Sequence, residues 1–343
     1  MYKVKKTVTF DDIAKYTNFS KTTISRYFNN PDSLTLENQQ KIADALVALN
    51  YKENKVGRIL ASGKTEIVGV MIPNLYLHYY SHMLNQLLSS YEAYGYKFLV
   101  FVGNENKSIE RQYFQELLSY QIEGLIVLSY TISSEELASY NLPVVTVERE
   151  DQYTCSVNSD NYTGAVLAAE LLMNKNCDVL IHVNGNVAEK TPSYQRIKGF
   201  EAFCKEHQLP HELIQSNLGN TYEKNIEGIR RSFESIDQKY AGKKKGVFFA
   251  NDTYANIFLN LLFKKYGKLP DDYRIIGFDD SPISKEAVIP ISTVSQQIEK
   301  MAEEAMDLLL MQMNERKKRR PTPLPAPIHR VVTPVLIERD TTS

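Results

Sequence analysis

Cysteine is scarce. Three residues, Cys155, Cys177 and Cys204, are too few, too unevenly spaced and odd in number to frame a disulfide scaffold or a CxxC metal site, and they read as buried thiols. Long apolar runs are missing: none reaches the roughly 18 to 20 residues that a membrane-spanning helix needs. The opening MYKVKKTVTF has basic residues but no apolar stretch behind them, so no secretory leader is expected. A cytoplasmic protein without membrane contact is the expectation. No GxSxG elbow, HExxH pair or metal-spaced cluster occurs, and no GxGxxG follows the first strand of the larger part of the chain, so neither hydrolysis, a metal nor a dinucleotide cofactor is indicated. His78 and His82 are spaced i and i+4 but lack a third ligand and read as helix surface. The chain is not expected to be an enzyme.

An excess of one charge is also lacking, since the formal net charge is −1. The distribution is uneven. Residues 1–64 carry nine Lys and two Arg against six Asp or Glu, a net of +5, and the rest carries −6. A basic head on an acidic body is the pattern of a small module that meets a polyanion. With 343 residues, 43% hydrophobic and 24% charged, the chain has material for two or three globular domains.

The first sixty residues read as short helices. Thr9 can cap a helix with Asp11 and Asp12 in its first turn and Phe10, Ile13 and Ala14 on one face. It should stop near Thr17, with Asn18 suited to a left-handed turn and Ser20 capping a second helix, Lys21 to Phe28. Thr35 then caps a third, whose apolar stripe is Ile42, Ala45, Leu46 and Leu49. In a helix-turn-helix the start of the second helix meets base edges, and Lys21, Thr22, Thr23, Ser25 and Arg26 supply short polar groups with a basic one a turn later.

DIAKYTNFSKTTISRYFN, followed by LNYKENKVGRIL, closely resembles the lactose-repressor (LacI/GalR) family of bacterial transcription factors. The resemblance implies DNA contacts from Thr9, Ser20, Lys21, Thr22, Thr23, Ser25, Arg26, Asn29, Tyr51, Asn54, Lys55 and Arg58, and a minor-groove leucine at Leu60. Asn18 replaces the usual turn glycine, Glu53 a proline, and Gly57 an alanine; the last lowers helix propensity by about 1 kcal/mol, so the hinge helix should be weak without DNA. GRILASGKT is a near miss to a phosphate-binding loop, but Gly57 and Gly63 are one residue too far apart and the segment precedes a strand instead of following one.

From Glu66 onward, apolar runs alternate with amphipathic stretches through PVVTV, and the pattern restarts at CSVN. Two such runs indicate two doubly wound lobes with ligand between them, at the carboxyl ends of the strands. The fold class expected is therefore a small all-α helix-turn-helix head plus an α/β body of two parallel-sheet lobes. Its divisions are 1–51 head, 52–64 hinge and 65–343 body, with one lobe over about 65–159 and 291–324 and the other over about 160–290 and 325–343. At strand ends stand Arg149, Asn251, Asp252, Asp279 and Asp280; adjacent residues of an extended chain point to opposite sides, so only one of Asp279 and Asp280 can face the cleft.

The resemblance extends over the body through IPNLYLHYY, VNSDNYTGA, YQRIKGF, FFANDTYA, RIIGFDDS and ISTVSQ, and implies a periplasmic-binding-protein-like architecture. It further implies that Arg196 and Asp279 hold polar groups of a small effector, with Glu148 and Asn251 adding hydrogen bonds, Tyr79 and Tyr80 an aromatic wall, and Asn74 and Tyr222 further contacts. A planar guanidinium and a carboxylate bracketing paired hydroxyls, with an aromatic face over C–H groups, suit a sugar. Arg196 and Asp279 could alternatively form an inter-lobe salt bridge. ERKKRRPTPLPAP reads as a solvated crossover, and no leucine heptads follow it, so a homodimer is expected. The expectation is a repressor of carbohydrate-utilisation genes that binds a palindromic double-stranded operator under control of a small effector, expected to be a carbohydrate. A global regulator governed by a partner protein and a cytosolic sugar-binding module are the alternatives.

Overall fold

A computed structural model describes residues 8–52, 64–189, 191, 193–216, 218–219, 221–322 and 326–343. The chain forms two compact units, the first ending at Lys64 and the second running Thr65–Ser343.

The first unit holds α1 (Phe10–Thr17), α2 (Lys21–Asn29), a 3-10 turn at Pro31–Ser33 and α3 (Leu36–Ala48). Local chemistry sets the ends. The Thr9 amide and hydroxyl both donate to the Asp12 carboxylate, at 2.9 and 2.8 Å, and Ser20 Oγ accepts the Thr23 amide at 3.1 Å. Asn18, at φ 60°, makes the turn. Ile13, Ile24 and Ile42, one from each helix, are fully buried at the centre. Phe10 stacks on Phe28 at 5.1 Å, and Tyr51 lies 5.8 Å from Phe28, so the end of the unit folds back on its own core.

The second unit begins with β1 (Ile67–Ile72), α4 (His78–Ser89), the single turn α5 (Tyr91–Tyr94) and β2 (Lys97–Val102). Then come α6 (Lys107–Ser119), β3 (Gly124–Val127), α7 (Ser134–Ser139), β4 (Val144–Val147) and β5 (Cys155–Ser159). The pattern repeats as α8 (Asn161–Asn174), β6 (Val179–Gly185), α9 (Tyr194–Glu206), β7 (His211–Ser216), α10 (Tyr222–Lys239), β8 (Lys245–Phe249), α11 (Asp252–Tyr266) and β9 (Tyr273–Asp279). It closes with α12 (Pro282–Glu286), β10 (Ser292–Ser295), α13 (Ile298–Arg316), β11 (His329–Val332) and β12 (Val335–Ile337).

Two six-stranded sheets result, ordered β11-β5-β4-β3-β1-β2 and β12-β10-β9-β8-β6-β7. Every pairing is parallel except β10 with β12. Each sheet reverses strand order beside its first strand, the place where doubly wound folds open a crevice at the carboxyl ends.

The lobe boundaries differ from those read in the sequence. Ser292–Ser295 pairs in the second sheet and His329–Val332 in the first, so the chain crosses near Asp160, Gln296 and Thr333, not at 291 and 325. Apolar patterning identifies a strand but not the sheet it joins. α13 does belong to the first lobe, against which it buries Met301, Ala305, Leu308, Leu309 and Met313. Cys155 and Cys204 are buried and Cys177 is partly so.

Candidate functional site

At the carboxyl ends of the two sheets lies a cavity of about 680 Å³, within the range usual for small-molecule sites. The first lobe contributes Tyr79 and Tyr80 from α4, Glu105 after β2, Tyr130 and Thr131 after β3, and Glu148 after β4. The second contributes Asn184 on β6, Arg196 on α9, Asn251 and Tyr254 after β8, Asp279 at the end of β9 and Gln296 after β10.

Arg196 is the centre of this wall and is almost fully buried. Its Nε donates to Asn161 Oδ1 at 2.6 Å, Nη1 donates to the Ala250 carbonyl, and the guanidinium lies 3.7 Å from the centroid of the Phe278 ring. Nη2 is 3.8 Å from Glu148 Oε2 and Nη1 is 4.0 Å from Asp279 Oδ1. Glu148 is fixed by the Ser159 amide (2.6 Å) and Asn161 Nδ2 (2.8 Å), and Asp279 by Gln296 Nε2 (2.6 Å). Burial raises both carboxyl pKa values, that of Asp279 strongly, and the Arg196 charge opposes the rise. The Tyr79 hydroxyl and Gln296 Oε1 are buried without a hydrogen-bond partner in this wall.

Gly199 makes the arrangement possible. A Cβ there would stand 2.3 Å from the Tyr162 carbonyl oxygen, so α9 can cross α8 closely enough for Arg196 to reach Asn161 only without a side chain at 199. Behind Arg196, His182 stacks on Phe248, and its pKa is pushed down to about 3, chiefly by burial. The ring is therefore neutral; with Nδ1–H donated to the Phe248 carbonyl at 3.0 Å, Nε2 is the acceptor for Asn184 Nδ2 at 3.2 Å. Asp252 faces away from the cleft. It accepts from the Ser281 amide and the Thr293 hydroxyl, and burial lifts its pKa to about 7. Of the neighbouring acids only Asp279 lines the cavity, while Asp280 pairs with Arg339 at 2.5 Å.

On the first unit, Thr22 and Arg26 are exposed, four residues apart on one face of α2, and neither side chain has a partner among the described residues. Lys21 pairs with Asp11 at 2.7 Å. The hydroxyls of Thr9, Ser20 and Thr23 are engaged at helix N-termini, and Asn29 Nδ2 donates to the Ser25 carbonyl at 2.9 Å and to Ser25 Oγ at 3.1 Å. Tyr51 sits in the aromatic cluster.

Residues 9–54 match the model described as bacterial regulatory proteins, lacI family; 65–234 match periplasmic binding proteins and sugar binding domain of LacI family, and 169–342 match a periplasmic binding protein-like domain. The chain belongs to the lacI family of bacterial regulatory proteins.

It is a DNA-binding transcriptional regulator, not an enzyme. It is 25% identical to the ribose operon repressor of Halalkalibacterium halodurans, over 90% of this chain and 91% of that one. To the catabolite control protein A of Staphylococcus xylosus it is 29% identical, over 90% and 93%. The fold superposes on the lac repressor dimer bound to operator and the anti-inducer ONPF with TM-score 0.78 and 20% identity, covering 98% of this chain and 99% of that one. A LacI transcriptional regulator from Alkaliphilus metalliredigens, complexed with D-xylulofuranose, matches with TM-score 0.70 and 26% identity over 81% and 99%.

Among the residues that the family resemblance pointed to, Tyr79, Tyr80, Glu148, Arg196, Asn251 and Asp279 come together around one cavity. Asn74 and Tyr222 do not line it. Asn74 Oδ1 accepts the Leu77 amide at 3.2 Å and shapes the turn into α4; Tyr222 opens α10 with 40% of its surface exposed, and the wall there is Leu218 and Gly219. Asn54, Lys55, Arg58 and Leu60 lie outside the described residues. The sequence reading missed Asn161, Tyr130, Tyr254, Asn184 and Gln296. Tyr130 follows the GLIVLS strand directly, and that position was the available signal. No helix among the described residues is long and apolar enough to cross a membrane.

Proposed function

We propose that the cleft binds an uncharged carbohydrate and that its occupancy controls how a homodimer of this regulator holds a palindromic operator, repressing genes for carbohydrate use. The observation that carries this is the buried Glu148–Arg196–Asp279 arrangement, drawn from both lobes, in a cavity walled by tyrosines. Carboxylates accept from sugar hydroxyls, the guanidinium donates to them, and tyrosine faces cover C–H surface. Among the described lining residues the carboxylates Glu105, Glu148 and Asp279 outnumber the one cation, Arg196, which disfavours a phosphorylated or carboxylated ligand. The names of the relatives, operon repressors for ribose and sucrose, support the same class.

In this reading residues 1–51 read the major groove through Thr22 and Arg26, residues 52–64 form a hinge with Leu60 as the minor-groove wedge, and the body senses. The effector acts by preferring one arrangement of the lobes, so that binding shifts the pair of heads between states of different DNA affinity. Thermal-shift screening of neutral sugars, sugar phosphates and nucleobases against the full chain tests this, since a ligand selective for the native state raises its Tm. A neutral sugar should raise Tm and change gel-shift affinity on operator fragments selected from genomic DNA. Stabilisation by sugar phosphates alone would refute the charge argument, and absence of any selective DNA binding would refute the regulator.

A further inference from the structure

The body is acidic overall, but one of its edges is not. α13 ends at Arg316 and leads directly into Lys317, Lys318, Arg319 and Arg320, all exposed. Lys317 Nζ lies 2.9 Å from Glu123 Oε2 and 3.0 Å from the Tyr96 hydroxyl. The other oxygen of Glu123 accepts the Glu66 amide at 2.8 Å, while the Thr65 hydroxyl donates to the Gln121 carbonyl at 2.7 Å. Glu123 thus ties the basic run to the residues where the chain coming from the head enters the body. Lys97 sits there too, its amide on the Glu66 carbonyl at 2.8 Å.

This edge is formed by the amino ends of β1, β2 and β3, opposite the strand ends that line the cleft. The five consecutive cations of 316–320 and Lys97 meet the carboxylates Glu66, Glu123 and Glu315 there, paired through Lys97, Lys317 and Lys318. Among the described residues Arg319 and Arg320 are in no ion pair and both are exposed, which leaves their guanidinium groups available to an anion.

We propose that this edge is a second DNA-contacting surface, which holds backbone phosphates of the duplex that the head has read. Any duplex held by the head is tethered to this edge through residues 53–63. An acidic body would oppose the approach of a polyanion, and a cationic edge where the chain enters the body reverses the sign of that interaction there. Arginine suits the task, because its planar fork matches phosphate oxygens two at a time. The contact carries no sequence information; it adds affinity and salt dependence.

The test measures binding of the full chain to a random-sequence 40-base-pair duplex by fluorescence anisotropy from about 50 to 300 mM NaCl, the range over which counterion release is readily resolved. R319Q/R320Q should flatten the plot of log K against log [NaCl] by about 2 to 4 for a dimer that loses one or two phosphate contacts per chain. R319K/R320K should keep the parent slope within about one. K264Q/K268Q, which removes equal charge beside the amino edge of the second sheet, should leave it unchanged. All variants should melt with the parent, since the substituted side chains are exposed. Equal slopes for parent and R319Q/R320Q, or an equal loss in K264Q/K268Q, would overturn the proposal, and the first result would leave the basic edge to an acidic protein partner.

Discussion

Replacing Arg196 with methionine keeps most of the side-chain volume and removes the charge, which isolates the electrostatic role of this residue. In the parent, one buried guanidinium serves two buried carboxylates, Glu148 at 3.8 Å and Asp279 at 4.0 Å, and donates to Asn161 and the Ala250 carbonyl. Breaking a buried ion pair from one side costs about 3 to 5 kcal/mol. The lower end applies here, because both carboxylates border a cavity that water can enter. At about 2 to 4 °C per kcal/mol, a loss near 3 kcal/mol lowers Tm by about 6 to 12 °C at pH 7.5. The pH dependence has a definite sign. Burial already raises both carboxyl pKa values above their unfolded values, and removal of Arg196 raises them further. The native state then binds more protons than the unfolded state, so stability falls as pH rises from the unfolded carboxyl range through the elevated native values. Arg196→Met should recover much of its deficit between pH 7.5 and 5, more than the parent gains. Differential scanning calorimetry across that range measures it. A variant that melts with the parent at pH 7.5, or whose deficit does not shrink on acidification, would refute the buried-charge account.

Arg26→Ala should cost about 1 to 3 kcal/mol of operator affinity and relax base preference at one position per half-site, measured by competition against single-base operator variants; uniform weakening on all sequences would make Arg26 a phosphate contact instead. Gly199→Ala gains about 1 kcal/mol of helix propensity but drives a Cβ to 2.3 Å from the Tyr162 carbonyl oxygen; overpacking against main chain outweighs the gain, so urea melts should show a net loss of at least about 1 kcal/mol together with weaker sugar binding. His78 Nδ1 meets Thr253 Oγ1 at 3.0 Å across the two lobes, and burial lowers the His78 pKa. Its contribution is therefore present above pH 6.5 and lost as pH falls below it, and the stability difference between parent and His78→Gln should shrink from pH 7.5 to 5.5 in paired thermal melts.

The head was legible because its determinants are local. Thr9, Ser20 and Thr35 cap, Asn18 turns, and Ile13 and Ile42 stand on the apolar faces of their own helices, so each element could be placed from a window of a few residues. The alternation of strands and helices in the body was legible for the same reason. Sheet membership was not, since nothing within Ser292–Ser295 or His329–Val332 says which sheet the strand joins, and only long-range pairing assigns them. The cleft divides in the same way. Arg196 was indicated by the family resemblance at YQRIKGF, and Asp279 both by that resemblance and as an acid at a strand end. Asn161 and Gln296 became site residues only because chain crossings bring them beside Glu148 and Asp279, a consequence of strand order that no local window contains. Tyr222 failed for a related reason: loop geometry, not residue type, puts Leu218 and Gly219 in the wall.

The distances within the cleft separate what is fixed from what can move. Glu148 is held by the Ser159 amide at 2.6 Å and Asp279 by Gln296 at 2.6 Å, both within ordinary hydrogen-bond range. The charged contacts from Arg196 to those carboxylates, at 3.8 and 4.0 Å, are longer than any hydrogen bond. Each carboxylate is thus oriented by its own surroundings, and the guanidinium attracts without closing the gap. A hydroxyl inserted there can donate to a carboxylate and accept from the guanidinium, with no strong bond to break first. Hydrogen bonds to charged groups contribute about 1.5 to 3 kcal/mol each. Made in only one arrangement of the lobes, a single such bond would shift the equilibrium between arrangements by about 10- to 150-fold, which is the size of coupling that ligand-controlled DNA binding requires.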